Sequence, residues 1–237
     1  MIRTIKMIDI RLANARGSAN FGWLDSKHTF SFGSYHDPSH MGHSALRVIN
    51  DDKVEAGAGF GIHGHRDMEI ISYVTQGIIA HKDSMGNVKL LPKGEFQLMS
   101  AGTGVTHSEY NASDTEILAF LQIWIVPDSQ GGKPGYQQKD FGQAQGLNPV
   151  ITPTGENGTL KIKQDATVSQ LILAPGTSVD VKIDSARNGY VHQVSGELSI
   201  NQQHLQQGDG AKISHLDNLT MSNEGPKSAT ALIFDLP

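Results

Sequence analysis

The chain has 237 residues, a formal net charge of −5, 18% charged residues, 26 glycines and no cysteine. That length admits one large core or two modest ones, and the acidic balance without a Lys/Arg cluster argues against direct nucleic-acid binding. Lack of cysteine excludes disulfides and thiolate metal ligands, and it suits a reducing compartment.

The opening segment, Met1 to Ile10, is interrupted by Arg3, Lys6 and Asp9 and lacks the apolar centre and cleavage site of a leader peptide. No stretch approaches the eighteen or so apolar residues that span a bilayer, so no membrane partner is expected and the expected location is cytoplasmic. Up to about residue 50, short strand-like pieces alternate with turns. Ala13–Ser18 reads as a loop, and Phe30 and Phe32 read as one face of a strand. His28 is expected to be packed or hydrogen-bonded. His36, His40 and His43 lie around Asp37-Pro38 and Gly42, which break any helix that would align them. They are expected to take no part in a metal site.

The chemistry concentrates between Phe60 and Asn111. His63-Gly64-His65 precedes the strand-like run Met68–Val74, and His107-Ser108-Glu109 follows Phe96–Met99. Side chains two apart on a strand share a face, with Cα atoms roughly 6.5 to 7 Å apart. His63 and His65 therefore project together, as do His107 and Glu109. Two such pairs facing each other bring three imidazoles and one carboxylate to one point. That set suits a divalent transition metal better than calcium or magnesium, which prefer oxygen shells.

Further along, Tyr73–His81 reads as two strands meeting at Gly77, and Asp83-Ser84-Met85-Gly86-Asn87 as a hairpin turn. Pro92-Lys93-Gly94-Glu95 is another turn. Glu116–Val126 is apolar on both faces and is expected to be a strand buried on both sides. From Pro127 to Pro149 the composition shifts to Gly, Gln, Asp and Lys, the pattern of a connector. The strand pattern then restarts. Tyr190–Leu198 parallels Tyr73–Ile79, with Gly196 in the place of Gly77, and Gly208-Asp209-Gly210 parallels Gly94-Glu95. This weak internal repeat predicts two similar β-barrels. Lys182 and Asp184 stand where the first half has His63 and His65, so the second barrel is expected to hold no metal. His192, His204 and His215 are isolated and read as core or surface residues.

The same residues carry a resemblance. Gly59, His63-Gly64-His65, Glu69 and Gly77 resemble the first cupin motif; Gly94, Gly102, His107 and Asn111 resemble the second. Ser100-Ala101-Gly102-Thr103-Gly104 followed by His107–Asn111, with His28–Phe32, Asp37-Pro38 and Leu46–Asp52, is similar to the pirin family in particular. The likeness covers nearly the whole chain. It implies an all-β bicupin of two tandem jelly-roll barrels: an N-terminal metal-binding cupin domain over 1–130, a linker over 131–149, and a degenerate C-terminal cupin domain without metal over 150–237. It further implies one metal ion held by His63, His65, His107 and Glu109. Fe(II) is the first expectation, with Mn, Cu, Ni, Co or Zn as alternatives.

Several relatives resemble quercetin 2,3-dioxygenases, which open a flavonol ring with O2 and release carbon monoxide. Under that implication the partners are a small aromatic substrate and O2, and Glu109 doubles as the catalytic group that helps take the substrate's proton. Glu69 is expected beside the ligands, fixing a histidine tautomer, or on a solvent-facing strand position. Two alternatives remain open at this point: a non-enzymatic metal-dependent module acting through a protein partner, and a zinc-type cupin hydrolase or isomerase.

Overall fold

The computed structural model describes residues 7–237; residues 1–6, part of the segment read above for a leader, lie outside them. Among the described residues nearly every element is a strand, and the helical pieces are the short turns Ala13–Ala15 and Glu156–Gly158. No helix there is long and apolar enough to cross a membrane.

The first compact unit comprises Gly17–Gly142 with Pro153–Asp165. One of its sheets runs, neighbour to neighbour, Gly135–Asp140, Glu95–Ser100, Glu69–Gln76, Leu118–Ile125, Leu46–Val54, Leu24–His28 and Gly17–Asn20. The other runs Gly59–His65, Val105–Asn111, Ile78–Asp83 and Val88–Pro92. Leu118–Ile125 sits mid-sheet and is buried along almost its whole length, as its two apolar faces require. The hairpin at Asp83 forms because its Oδ1 accepts the backbone N–H of Met85 (2.9 Å) and of Asn87 (3.0 Å).

Three rows of side chains cross the large sheet on the face that carries Ser72. Phe120 and Val74 form one apolar row and Trp124, Ile70 and Met99 another. Between them runs a polar row in which cross-strand partners are His28, Asn50, Gln122, Ser72 and Gln97, all buried. The apolar rows supply cohesion, each fully buried side chain contributing roughly 1.5–3 kcal/mol. The polar row supplies the groups that meet the site.

Two local expectations need correcting. The strand Leu24–His28 ends before Phe30, and Phe32 instead forms an isolated bridge with Tyr35 and packs edge-on against Trp124, ring centroids 5.3 Å apart. Gly33, with φ of 57°, turns the chain there. The supposed loop Ala13–Ser18 is a short 3-10 turn followed by a strand from Gly17, which pairs with His28.

The segment expected as a connector also carries strands. Gly135–Asp140 pairs in full with Glu95–Ser100. It is held by backbone hydrogen bonds, which its Tyr-Gln-Gln-Lys composition does not announce. Gly146–Thr152 pairs with Thr167–Leu173 in the second unit.

That second unit comprises the N-terminal segment ending at Arg16, Gln143–Thr152 and Ala166–Pro237, so the two units interleave along the chain. Ile8–Arg11 pairs with Gly210–Ser214, and the sheet continues through Asn188–Ser195, Ala229–Leu236, Thr167–Leu173 and Gly146–Thr152. Facing strands are Ser178–Lys182, Asn218–Ser222, Leu198–Ile200 and Gln203–Leu205.

The repeat is visible in one detail. Gly77 and Gly196 both have positive φ, 78° and 71°. A Cβ on Gly77 would sit 3.1 Å from the Leu118 Cα, and one on Gly196 would sit 2.9 Å from the Ala229 Cα. Each glycine thus lets a strand reverse against the start of the long central strand of its own barrel. The interior of the second barrel is filled by Leu171, Val181, Ile183, Leu219, Met221 and their neighbours. Lys182 and Asp184, at the positions aligned with His63 and His65, are exposed. His192 is buried and His204 and His215 are exposed.

Candidate metal centre

Val105–Asn111 lies between Gly59–His65 and Ile78–Asp83 in the small sheet. Its burial alternates so that Val105, His107, Glu109 and Asn111 face inward. On one side His107 is the cross-strand partner of His63, and Val105 that of His65. On the other side His107 pairs with Asp83, and Glu109 with His81. Three adjacent strands therefore direct four imidazoles and two carboxylates into one barrel.

The ligand-capable atoms of His63, His65 and His107 lie within 4.8 Å of one another, and those of His81, His107 and Glu109 do so as well. The ring centroids of His63 and His107 are 4.4 Å apart; those of His63–His65 and His65–His107 are 4.9 Å apart. Of the four residues expected to converge, three form one triad, and Glu109 joins His107 in the second. His81 was not anticipated. A lone histidine on a strand gives no signal by itself, and the alternating His81-x-Asp83 was masked by the turn that Asp83 opens.

The donor set fits a metal ion. His107 has both ring nitrogens buried without a hydrogen-bond partner, and Nε2 of His65 is buried and unpartnered too. Such groups are costly to bury unpaired, by about 1–3 kcal/mol each, and a metal ion satisfies a bare imidazole nitrogen directly. His63 places Nδ1 2.8 Å from the carbonyl oxygen of Gly61, which leaves Nε2 for an ion. His65 and His107 are also in the right protonation state. Burial chiefly, with the neighbouring His63 next, pushes His65 down to about 4 and His107 down to about 3. Both are neutral, ligand-ready bases at pH 7.

Glu109 is wholly buried and tethered to the polar row. Its Oε1 lies 3.2 Å from Ser72 Oγ, and its Oε2 accepts the Gln122 side-chain amide at 3.0 Å. Burial raises its affinity for a proton, opposed by His81, His63 and these hydrogen bonds. Beside the imidazoles stand flat apolar surfaces: Trp124 is edge-on to His65 at 5.0 Å and Phe60 lies 6.4 Å from His63.

Glu69 is neither beside the ligands nor exposed. Strand alternation puts it on the opposite face from Ser72, where its Oε2 accepts Ser100 Oγ at 2.8 Å and the Lys163 N–H at 3.2 Å. It ties a loop to the sheet. His28 is packed, edge-on to Phe32 at 5.3 Å. His40 pairs with Asp37 at 2.9 Å within its loop.

A second buried carboxylate inside this barrel is Asp52, hydrogen-bonded by Ser26 Oγ. Burial foremost, with Asp51 and Glu109 adding to it against the Ser26 bond, pushes Asp52 up to about 7. A carboxyl raised in the folded state stabilises fully below its unfolded value near 4, and that contribution is lost as pH rises through 7. Asp52→Asn keeps the acceptor for Ser26 and removes the charge. At pH 8 the metal-free variant is expected to be more stable than wild type, by on the order of a few kcal/mol, with no gain at pH 4. Thermal unfolding at both pH values checks this.

A jelly-roll barrel with imidazoles from adjacent strands converging inside it defines a cupin-type metal-binding protein. The Pirin family profile matches residues 9–125, and that of the quercetinase C-terminal cupin domain matches residues 149–236. The chain is 48% identical to quercetin 2,3-dioxygenase of Escherichia coli K12 over 98% of its own length and 99% of that protein's. The crystal structure of YhhW from Escherichia coli superposes with a TM-score of 0.95 at 47% identity, covering 98% of both chains. Bacterial pirin YhhW in complex with nickel(II) superposes with a TM-score of 0.94 at 46% identity, covering 98% of this chain and 99% of that one. The chain belongs to the pirin family, and its two barrels are the tandem cupin domains of that family.

Proposed function

We propose that the protein is a metal-dependent dioxygenase that opens a flavonol such as quercetin with O2 and releases carbon monoxide. We further propose that His63, His65, His107 and Glu109 hold the ion. The observation that carries this reading is the triad of imidazoles His63, His65 and His107, with unpartnered buried nitrogens on His65 and His107, in a chain 48% identical to an enzyme named for that reaction. When bound, a redox-capable divalent ion supplies the means for O2 to react with a closed-shell organic substrate. Iron(II) is the proposed native ion, and the nickel complex of YhhW supports a site tolerant of other divalent metals.

The remaining roles fall to the chain itself. Trp124 and Phe60 offer ring surfaces on which a flat aromatic substrate packs beside the imidazoles. Glu109 accepts the proton of the flavonol hydroxyl: the O–H bond breaks, its electron pair stays on the substrate oxygen, and the proton moves to the carboxylate. Burial equips it for that step by raising its proton affinity. Ser72 and Gln122 keep the carboxylate turned toward the site. The absence of cysteine suits the cytoplasm as the working compartment.

The test is to load metal-free protein with Fe(II), Ni(II), Co(II), Mn(II) or Cu(II) in turn, then add quercetin and oxygen. Loss of flavonol absorbance with matching carbon monoxide release is expected for at least one metal, at a rate at least about a hundredfold above a His63→Ala control. Equal rates for the two proteins with every metal would defeat the dioxygenase reading and favour a metal-dependent binding module.

A further inference from the structure

The metal centre uses the inner face of the small sheet, and the outer face of the same strands carries a different pattern. Val105–Asn111 alternates, so Thr106, Ser108 and Tyr110 point away from the imidazoles. Register continues that face across the sheet. Ser108 pairs with Lys82 and Lys82 with Val88; Tyr110 pairs with Ala80 and Ala80 with Leu90. On the other side Gly61 and Ile62 together oppose Ser108 at a bulge. Twelve large hydrophobic side chains are exposed among the described residues, and Ile62, Val88, Leu90, Tyr110, Ile78 and Ile117 all belong to this face or its rim. Half of the exposed apolar side chains thus collect on one four-stranded surface. Ile62 is 84% exposed, Val88 72% and Leu90 59%. An antiparallel sheet with one solvated face ordinarily turns polar residues outward. Here the outer face offers on the order of 500 Å² of apolar surface, within the range of patches that are often functional.

We propose that this face packs against the same face of a second copy of the chain, sheet on sheet about a twofold axis. Charge and area select that occupant. Lys82 is exposed at one end of the patch. At the other end, where the Ala112 N–H bonds the Ile78 carbonyl at 3.0 Å, the exposed loop carries Asp114 and Glu116, with Lys93 as the opposing charge nearby. A twofold axis through the row of Tyr110, Ala80 and Leu90 lays each end of the patch on the opposite end of its copy. Lys82 then meets the acids rather than an apolar surface, where an unpaired ammonium is costly to bury. Sheets packed face to face interdigitate their side chains at a separation of about 10 Å. Two copies together bury on the order of 1,000 Å² of apolar surface, which with a polar rim reaches the lower end of specific interfaces. Pairing is therefore reversible and dependent on concentration. It braces Gly59–His65, an edge strand of its sheet, from the back, and leaves the inner face with its imidazoles untouched. The inference stands apart from the reaction proposed above.

The experiment is sedimentation velocity on the full chain between about 5 and 500 μM. Wild type is expected to pass from monomer to dimer across that range, with a Kd on the order of 10–100 μM. Val88→Lys/Leu90→Lys changes two solvent-facing side chains and is expected to weaken pairing at least about a hundredfold, leaving a monomer throughout. Phe21→Lys replaces a ring that is 65% exposed outside this sheet and is expected to pair as wild type does. Lys82→Glu is expected to weaken the dimer about tenfold, and adding Glu116→Lys to recover it. Circular dichroism checks that each variant is folded. A wild type still monomeric at about 500 μM overturns the pairing and leaves the face to a different protein. A dimer equally stable in Val88→Lys/Leu90→Lys overturns it too, because another surface then holds the copies together. A charge swap that fails to recover the dimer overturns the twofold alignment.

Discussion

His107→Ala is expected to strip the protein of its metal while leaving both barrels folded. His107 belongs to both donor groups, with His63 and His65 and with His81 and Glu109, so its loss takes away the donor that joins them. Removing an outer-shell partner of a metal site already costs about 10- to 100-fold in affinity, and loss of a direct ligand is expected to exceed that. The metal-free protein should respond differently. Alanine leaves a cavity, but it also removes two buried nitrogens without partners, each costing about 1–3 kcal/mol in the wild type. The two effects oppose each other, so metal-free stability should change by no more than about 1–2 kcal/mol. Elemental analysis of protein purified without an affinity tag measures the first effect, and thermal unfolding with a chelator present measures the second. Unchanged metal content in His107→Ala would remove it from the ligand set.

Gly59→Ala is expected to have a large effect on the fold. A Cβ there would lie 2.4 Å from the carbonyl oxygen of Glu109, 2.5 Å from Tyr110 Cα and 2.7 Å from Tyr110 Cδ1. Two of these contacts are backbone, so relief requires Gly59–His65 to move away from Val105–Asn111. That movement breaks the pairing that sets His63 opposite His107. A loss on the order of 3 kcal/mol is expected, lowering Tm by roughly 6 to 12 °C, with weakened metal binding. Gly61→Ala is the internal control. It lies two residues on along the same strand, and its added Cβ would meet nothing nearer than the Tyr110 hydroxyl at 3.9 Å. Equal Tm losses in the two variants would mean that the close strand approach at Gly59 is not what matters.

Much of this molecule can be read from its residues in order, and the exceptions share a physical cause. His63-x-His65 and His107-x-Glu109 announce themselves because strand alternation makes a spacing of two visible without any knowledge of partners. The turns at Gly77 and Asp83–Asn87 are legible for the same local reason. His81 is not, since its value comes from lying across from Glu109, and register between strands is a long-range property. Glu69 shows the converse: its place in a family motif suggested the site, while the parity of its strand turns it to the far face. The strand Gly135–Asp140 was hidden by composition, because an edge strand held by backbone bonds needs no apolar residues. Ile8–Arg11 joins the barrel built mainly from the C-terminal half, a pairing that no local pattern encodes.

Anomalous X-ray diffraction from crystals of the protein soaked with nickel(II) addresses the metal centre most directly. The expected result is a peak about 2 Å from one ring nitrogen each of His63, His65 and His107, the usual metal–imidazole distance. An empty map at that point at saturating nickel, with the three imidazoles turned away from one another, would contradict the centre described above.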